Sequence, residues 1–190
     1  MPRDSVYIAL VHHPVLDKAG NVVTTAVTNL DVHDFSRLAR SYALAGFFLV
    51  TPIAAQQELA EHLLAHWRRG PGKTRVPERA DALRLCTVVA GVADAQAELA
   101  RQHQLAPRVI ATGARPRQTE KRCSYNEAAQ SIEQGDRPTL ILYGTGHGLA
   151  EPVFGLADAI LDPLRRTSDY NHLSVRTAAA ISLDRLFGEG

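Results

Sequence analysis

The sequence predicts an α/β fold in which a parallel sheet is flanked by helices. Five short apolar runs carry that expectation: Val6–Val11, Phe47–Thr51, Leu85–Val89, Val109–Thr112 and Thr139–Tyr143. They are rich in β-branched and aromatic residues and do not alternate with polar ones, the pattern of strands buried on both faces of a parallel sheet. Stretches with apolar residues at helical spacing lie between them. Strands and helices therefore alternate along the chain, which argues for right-handed crossover connections.

Taken in order, the first strand leads into a long polar loop, His12–Asn29. Phe35, Leu38, Ala39 and Tyr42 then mark a helix by their i, i+3, i+4, i+7 spacing, and Ala55, Leu59, Leu63 and Trp67 mark a second. A basic, Gly- and Pro-containing stretch, Arg68–Arg79, reads as a second long loop. Helices are expected from Val92 to His103 and from Ser124 to Ile132. Ala159–Leu161 is a weaker sixth strand candidate. The last helix runs from Leu173 to Phe187, with Val175, Ala178, Ala179, Leu183 and Leu186 on one side. The 190 residues suit one domain spanning residues 1–190.

Composition excludes several classes. Hydrophobic residues make up 45% and charged residues 22%, so the chain is neither disordered nor collagen-like. Twenty-one basic against 20 acidic residues give a net charge of +1, which rules out a chain-wide polycation but leaves room for a local basic patch. No apolar run approaches the roughly 20 residues that span a bilayer. The first five residues show no signal-peptide pattern, and Cys86 and Cys123 read as reduced thiols, so a cytoplasmic location is expected. No His/Cys/Asp cluster has zinc spacing, and adjacent His12 and His13 point apart on an extended chain, so no metal is expected. No Gly-x-Ser-x-Gly elbow supports a serine hydrolase.

Four segments could carry chemistry. Tyr143-Gly144-Thr145-Gly146-His147-Gly148 puts glycines at alternate positions after a buried strand, where a backbone can turn sharply and approach a ligand. Its spacing is neither a dinucleotide fingerprint nor a P-loop. Thr112-Gly113-Ala114-Arg115 repeats the theme after another strand. Near the C-terminus, Asn171 is placed to cap the last helix, and Tyr170, His172, Ser174 and Arg176 crowd its start. Finally, Asp31 and Asp34 are spaced like a helix cap and its third-position partner, with Arg37 and Arg40 close behind. Basic residues in the Arg68–Arg79 stretch and around Arg117–Arg122 make contact with a phosphate backbone plausible.

Together these segments resemble the signature motifs of the SPOUT class of RNA methyltransferases. The resemblance is nearest to a small bacterial group of S-adenosylmethionine (SAM)-dependent RNA methyltransferases related to the tRNA guanine-N1 enzymes. It runs from Tyr7–Val15 through Val23–Asp34 and Tyr143–Leu149 to Asp169–Arg176, nearly the whole chain. It implies a sheet whose C-terminal part forms a deep trefoil knot, a homodimer, and methyl transfer from SAM to tRNA or rRNA. A non-catalytic knotted module that binds SAM or a partner is the alternative.

The resemblance places the cofactor on Thr112, Gly113 and Ala114, on Tyr143, Gly144, Thr145, Gly146 and Gly148, and on Ile160, Leu161, Asp162 and Leu164, closed by Leu173 and Ser174. Knotted ribose methyltransferases carry an arginine where Arg37 stands and an asparagine where Asp31 stands, while the guanine-N1 relatives use an aspartate as base. Asp31 and Arg37 are thus the catalytic candidates, with a base nitrogen and a ribose 2′-hydroxyl both open as targets. Asn29, His33, Arg40, Arg115, Asn171 and Arg176 are the candidate substrate contacts.

Overall fold

The computed structural model describes residues 3–164, 170 and 172–188. Nine strands and eight helices lie along them. In chain order they are β1 (Val6–Val11), β2 (Val15–Leu16), β3 (Val22–Val23), α1 (Asn29–Ser41), β4 (Gly46–Val50), α2 (Ala54–Arg68), α3 (Gly72–Arg75), α4 (Pro77–Leu83), β5 (Cys86–Val89), α5 (Val92–His103), β6 (Arg108–Ala111), β7 (Arg122–Cys123), α6 (Tyr125–Glu133), β8 (Thr139–Gly144), α7 (Glu151–Leu156), β9 (Ala159–Leu161) and α8 (Val175–Phe187).

Seven strands form one sheet in the order β5-β4-β1-β8-β6-β9-β7, and every pairing in it is parallel. The chain winds outward from β1 through β4 to β5, then crosses to β6 on the other side, leaving a gap that β8 fills. Such a reversal is a topological switch point, and ligands of open α/β sheets bind in the crevice outside the strands' carboxyl ends there.

The apolar runs explain themselves in this setting. Val6, Ile8 and Leu10 of β1 face one core and Tyr7, Ala9 and Val11 face the other. β8 does the same with Ile141 and Tyr143 on one side and Leu140 and Leu142 on the other. Helices α1, α2, α4, α6 and α8 cover the first face, and α5 and α7 the second. Phe35 joins α1 to the sheet, its ring 5.3 Å from Phe47 and 5.8 Å from Tyr143.

Several expectations need correction. The 68–79 stretch is not a loop: it holds α3 and the start of α4, opened by Pro77 at the first helical position and anchored by buried Ala80, Ala82 and Leu83. Two of those three anchors lie beyond residue 80, past the polar run that suggested a loop. The 12–29 loop contains the β2–β3 hairpin, closed by the Asp17 carboxylate accepting from the Asn21 backbone at 2.9 Å. The two-residue β7 and the six-residue α7 gave no periodic signal. Asp31 is not the cap of α1; Thr28 is, its hydroxyl accepting from the Asp31 amide at 3.1 Å. Ser174, not Asn171, caps α8, which starts at Val175, and Asn171 lies outside the described residues. Phe35 and Ala39 of α1 and Ala179, Leu183 and Leu186 of α8 are buried in the chain's own core, while Leu30 of α1 is exposed. Among the described residues no helix is long and apolar enough to cross a membrane.

Truncating Phe35, which is 0% exposed, removes the ring that ties α1 to the sheet. Phe35→Ala is expected to cost about 3–5 kcal/mol, read as a lower midpoint in urea with an unchanged slope.

Candidate active site

A cavity of about 650 Å3 opens at the carboxyl ends of β6, β8 and β9, within the range of small-molecule sites. The glycine loop forms its floor. β8 pairs with β1 up to Val11 beside Gly144, and there the chain turns back on itself. A β-carbon at Gly144 would lie 2.6 Å from the Leu149 amide nitrogen. Gly146 has φ +58°, and a β-carbon on it would lie 2.7 Å from the Leu16 carbonyl. That carbonyl accepts from the His147 amide at 2.8 Å, and the Leu16 amide donates to Gly148 at 2.9 Å. The β2–β3 hairpin thus clamps the loop, and at Gly146 only glycine fits against the clamp.

Thr112, Gly113, Ala114 and Arg115 form a second wall after β6, and the Thr112 hydroxyl donates to the Leu142 carbonyl at 2.8 Å. Asp162 and Leu164 follow β9, with Asp162 ion-paired to Arg122. Leu173 and Ser174 close the cavity at the start of α8. Of the expected cofactor residues, Ile160 and Leu161 do not line it. They are buried β9 positions, one on each side of the sheet, and support the wall from behind.

Other lining residues escaped the sequence reasoning. Tyr125, Ala178 and Ser182 come from helix faces that read there as apolar stripes. The signal was Val175, Ala178 and Ser182 at i, i+3, i+7, small residues leaving room for a ligand. Tyr143 and Tyr125 are both held above the ordinary tyrosine value by burial, so both remain neutral phenols. The Tyr143 hydroxyl is buried without a hydrogen-bond partner in the protein, while Tyr125 lies 3.3 Å from the Ser182 hydroxyl.

Thr25 and Thr145 also line the cavity, their hydroxyls in short contact. Thr145 donates to the Val11 carbonyl at 3.1 Å, and Thr25 meets Nδ1 of His12 at 2.9 Å. His12 is 0% exposed. Burial pushes its pKa below the ordinary histidine value, against the opposing charge of Asp31.

Asp31 stands at the cavity wall, 5% exposed. Its carboxylate accepts from the Thr28 hydroxyl at 2.6 Å and from Arg176 at 2.7 Å. Arg176 also lies 3.3 Å from Asp34, so one guanidinium in the first turn of α8 staples both carboxylates of the first turns of α1. The other candidates separate. Arg37, Asn29 and His33 line a second cavity of about 510 Å3 between α1 and α2. Arg40 is on the surface, paired with Asp81 at 2.6 Å.

A glycine-floored cavity at the switch point of a parallel sheet, walled by neutral hydroxyls and an anchored carboxylate, defines an α/β ligand-binding enzyme architecture. The chain belongs to the SAM-dependent RNA methyltransferase family, whose model matches residues 5–188. It is 41% identical over 190 residues to a tRNA (guanine-N(1)-)-methyltransferase of Oleidesulfovibrio alaskensis, covering 99% of this chain and 43% of that protein. The chain therefore spans less than half the length of that relative. It is 34% identical to an Aquifex aeolicus protein, covering 98% of this chain and 90% of that one. The SpoU methyltransferase AviRb from Streptomyces viridochromogenes, solved in complex with AdoMet, matches with TM-score 0.58 at 13% identity over 98% of this chain and 58% of that one. That likeness concerns the fold.

The cofactor of the family is SAM, and the cavity fits it. Its volume suits a ligand of that size, Gly144 and Gly146 let backbone approach closely, and the buried Tyr143 hydroxyl awaits a partner. Among the described residues no group of three His, Cys, Asp or Glu side chains could hold a metal ion.

Gly144→Ala and Gly146→Ala are each expected to weaken S-adenosylhomocysteine binding by tenfold or more in calorimetry, since about 1.4 kcal/mol is a factor of ten. A β-carbon at either position displaces the loop.

His12 gives a pH prediction. The unfolded histidine binds its proton near pH 6.5 and folded His12 only below that. Its contribution to stability is full above about pH 6.5 and is lost as the pH falls toward the folded value. Thermal midpoints should therefore drop on acidification from about pH 7 to pH 5, and His12→Asn should flatten that slope.

Proposed function

We propose that this chain, as one catalytic unit over residues 1–190, transfers a methyl group from SAM to tRNA or rRNA, at a base nitrogen or a ribose 2′-hydroxyl. The observation that carries the reading is the anchored carboxylate of Asp31 at the wall of the glycine-floored cavity. Thr112, Gly113, Ala114, Tyr143, Gly144, Thr145, Gly146, Gly148, Asp162, Leu164, Leu173 and Ser174 hold the cofactor, with Ile160 and Leu161 behind them. When bound, SAM supplies a methyl group already activated by its sulfonium.

The protein's work is then to position two reactants and to handle one proton. Asp31 accepts the proton from the target atom, and Arg176 fixes the carboxylate's orientation and stays charged throughout. Arg37, Arg40 and Arg115, with Asn29, His33 and Asn171, hold the RNA.

The C-terminal segment threads as a deep trefoil knot. What supports this is β8 lodged between β1 and β6 while α8 returns to pack on α6 and α1. The chain works as a cytoplasmic homodimer. Tyr170 and Leu173, 71% and 48% exposed, give apolar surface near the cavity for a second copy to cover, and sedimentation at micromolar concentration tests it.

The deciding experiment is tritiated-methyl transfer to total RNA from a deletion strain, followed by nucleoside mapping. Guanine N1 of tRNA is the first product to look for. Label in RNA carries the reading; cofactor binding without transfer would leave a non-catalytic binding module. Asp31→Asn should lower kcat by about 10²–10⁴, checked by single-turnover kinetics at a temperature where a melting curve shows the variant folded, since the pair with Arg176 is lost as well. A loss of only a few-fold would move the base elsewhere.

A further inference from the structure

We propose that the second cavity is a subsite for an unpaired RNA nucleotide that flanks the methylated one, a proposal that rests on the RNA methyltransferase reading. This cavity of about 510 Å3 lies between α1, α2 and α4, and Arg37, His66, Trp67 and Arg79 are on its wall. Five of the nine wall residues come from α1, and the other four, Leu63, His66, Trp67 and Arg79, come from α2 and α4, outside the segments that carry the family resemblance. Trp67 is the chain's single tryptophan.

The chemistry of the wall suits a nucleotide. Arg79 places its guanidinium 5.2 Å from the centre of the Trp67 ring, and the His33 ring meets Trp67 edge-on at 5.3 Å. Among the described residues neither Arg37 nor Arg79 pairs with a carboxylate. Asp34, also on the wall, is engaged by Arg176. The cavity is thus left with positive charge beside an aromatic ring, the combination that single-stranded nucleic acid binds through phosphate and base face.

His33 reports the same field. Burial lowers its pKa first, Arg79 and Arg37 push the same way, and Asp34 opposes them. Its Nδ1 is buried and has no hydrogen-bond partner in the protein. The position fits as well. Asp31 lines the cofactor cavity and Asp34 the second, one helical turn apart on α1. The two cavities thus border neighbouring turns of α1, so an RNA strand reaching the cofactor continues along that helix to Trp67.

The sole tryptophan makes the test direct. Wild-type protein loaded with S-adenosylhomocysteine is titrated at low salt with an unstructured single-stranded decaribonucleotide, and separately with inorganic phosphate, while Trp67 emission is recorded. The oligonucleotide should change the emission saturably, and phosphate alone should not. Arg79→Ala and His66→Ala, both at exposed positions, should each weaken oligonucleotide binding by about 5- to 100-fold, the range of one stacking contact. Arg79→Ala should also reduce the slope of log K against log salt by about 0.7, one phosphate contact on a single strand. S-adenosylhomocysteine affinity and thermal midpoint should stay at wild-type values in both.

RNA binding with no change in Trp67 emission, or with both variants at wild-type affinity and slope, overturns the subsite while the methyltransferase reading stands. An emission change that tracks protein concentration without RNA assigns the cavity to a second copy and overturns it too. Loss of S-adenosylhomocysteine binding in the wild type, or no RNA binding at low salt, takes down both.

Discussion

β8 is hydrogen-bonded along both edges, to β1 on one side and to β6 on the other, and the rest of the molecule is arranged around that shared strand. A parallel strand cannot be reached by a tight turn, so every neighbour of β8 arrives by a long excursion. Those excursions supply the helices that bury both faces of the sheet. They also bring the carboxyl ends of β1, β6, β8 and β9 to one edge, so segments distant in sequence meet around one cavity. Gly144 leaves the sheet beside Val11 because the register of β8 on β1 puts it there. The glycine loop then turns back so that Gly148 and Leu149 fill the space beside Gly144, and it runs against Leu16 of the β2–β3 hairpin at Gly146.

The second constraint is electrostatic. Arg176 belongs to α8, the last helix, and Asp31 and Asp34 to α1, the first. Asp31 is almost fully buried, and a carboxylate there needs strong compensation. Arg176 and the Thr28 hydroxyl provide it with charge-assisted hydrogen bonds. The same contacts fix the carboxylate's rotamer and link the start of α1 to the start of α8. The carboxylate at the cavity wall and the docking of the last helix therefore rest on one set of atoms.

Much of the architecture was legible in the sequence. The buried strands were readable because both faces of β1, β4 and β8 are covered, which makes their runs continuously apolar. The glycine loop was readable because its spacing at a strand end has few structural explanations. The α3–α4 region was misjudged because its anchoring side chains, Ala80, Ala82 and Leu83, come after the polar run. The caps at Thr28 and Ser174 were displaced because Thr28-Asn29-Leu30-Asp31 and Asn171-His172-Leu173-Ser174 each offer more than one capping side chain within four residues. The separation of Arg37 from Asp31 was also hidden. Six residues apart on a helix, they sit about a third of a turn apart around its axis, a matter of rotation that only the packing of α1 fixes. Ser182 and Tyr125 were hidden in apolar stripes because a hydroxyl facing a cavity and a methyl facing a core occupy the same helical phase.

The hydroxyl chain behind the glycine loop has a consequence for what the cavity can recognise. With the Thr145 hydrogen given to the Val11 carbonyl, Thr145 receives the hydrogen of Thr25. In that arrangement Thr25 receives the hydrogen on Nδ1 of His12, the tautomer that leaves the buried, partnerless Nε2 without a hydrogen. Every hydrogen in the row is committed inward, toward the sheet. This stretch of wall therefore presents only lone pairs and methyl groups. It accepts an N–H or a polarised C–H from whatever lies against it and turns away a bare carbonyl or anion, a polarity filter set three residues deep by the orientation of one buried imidazole.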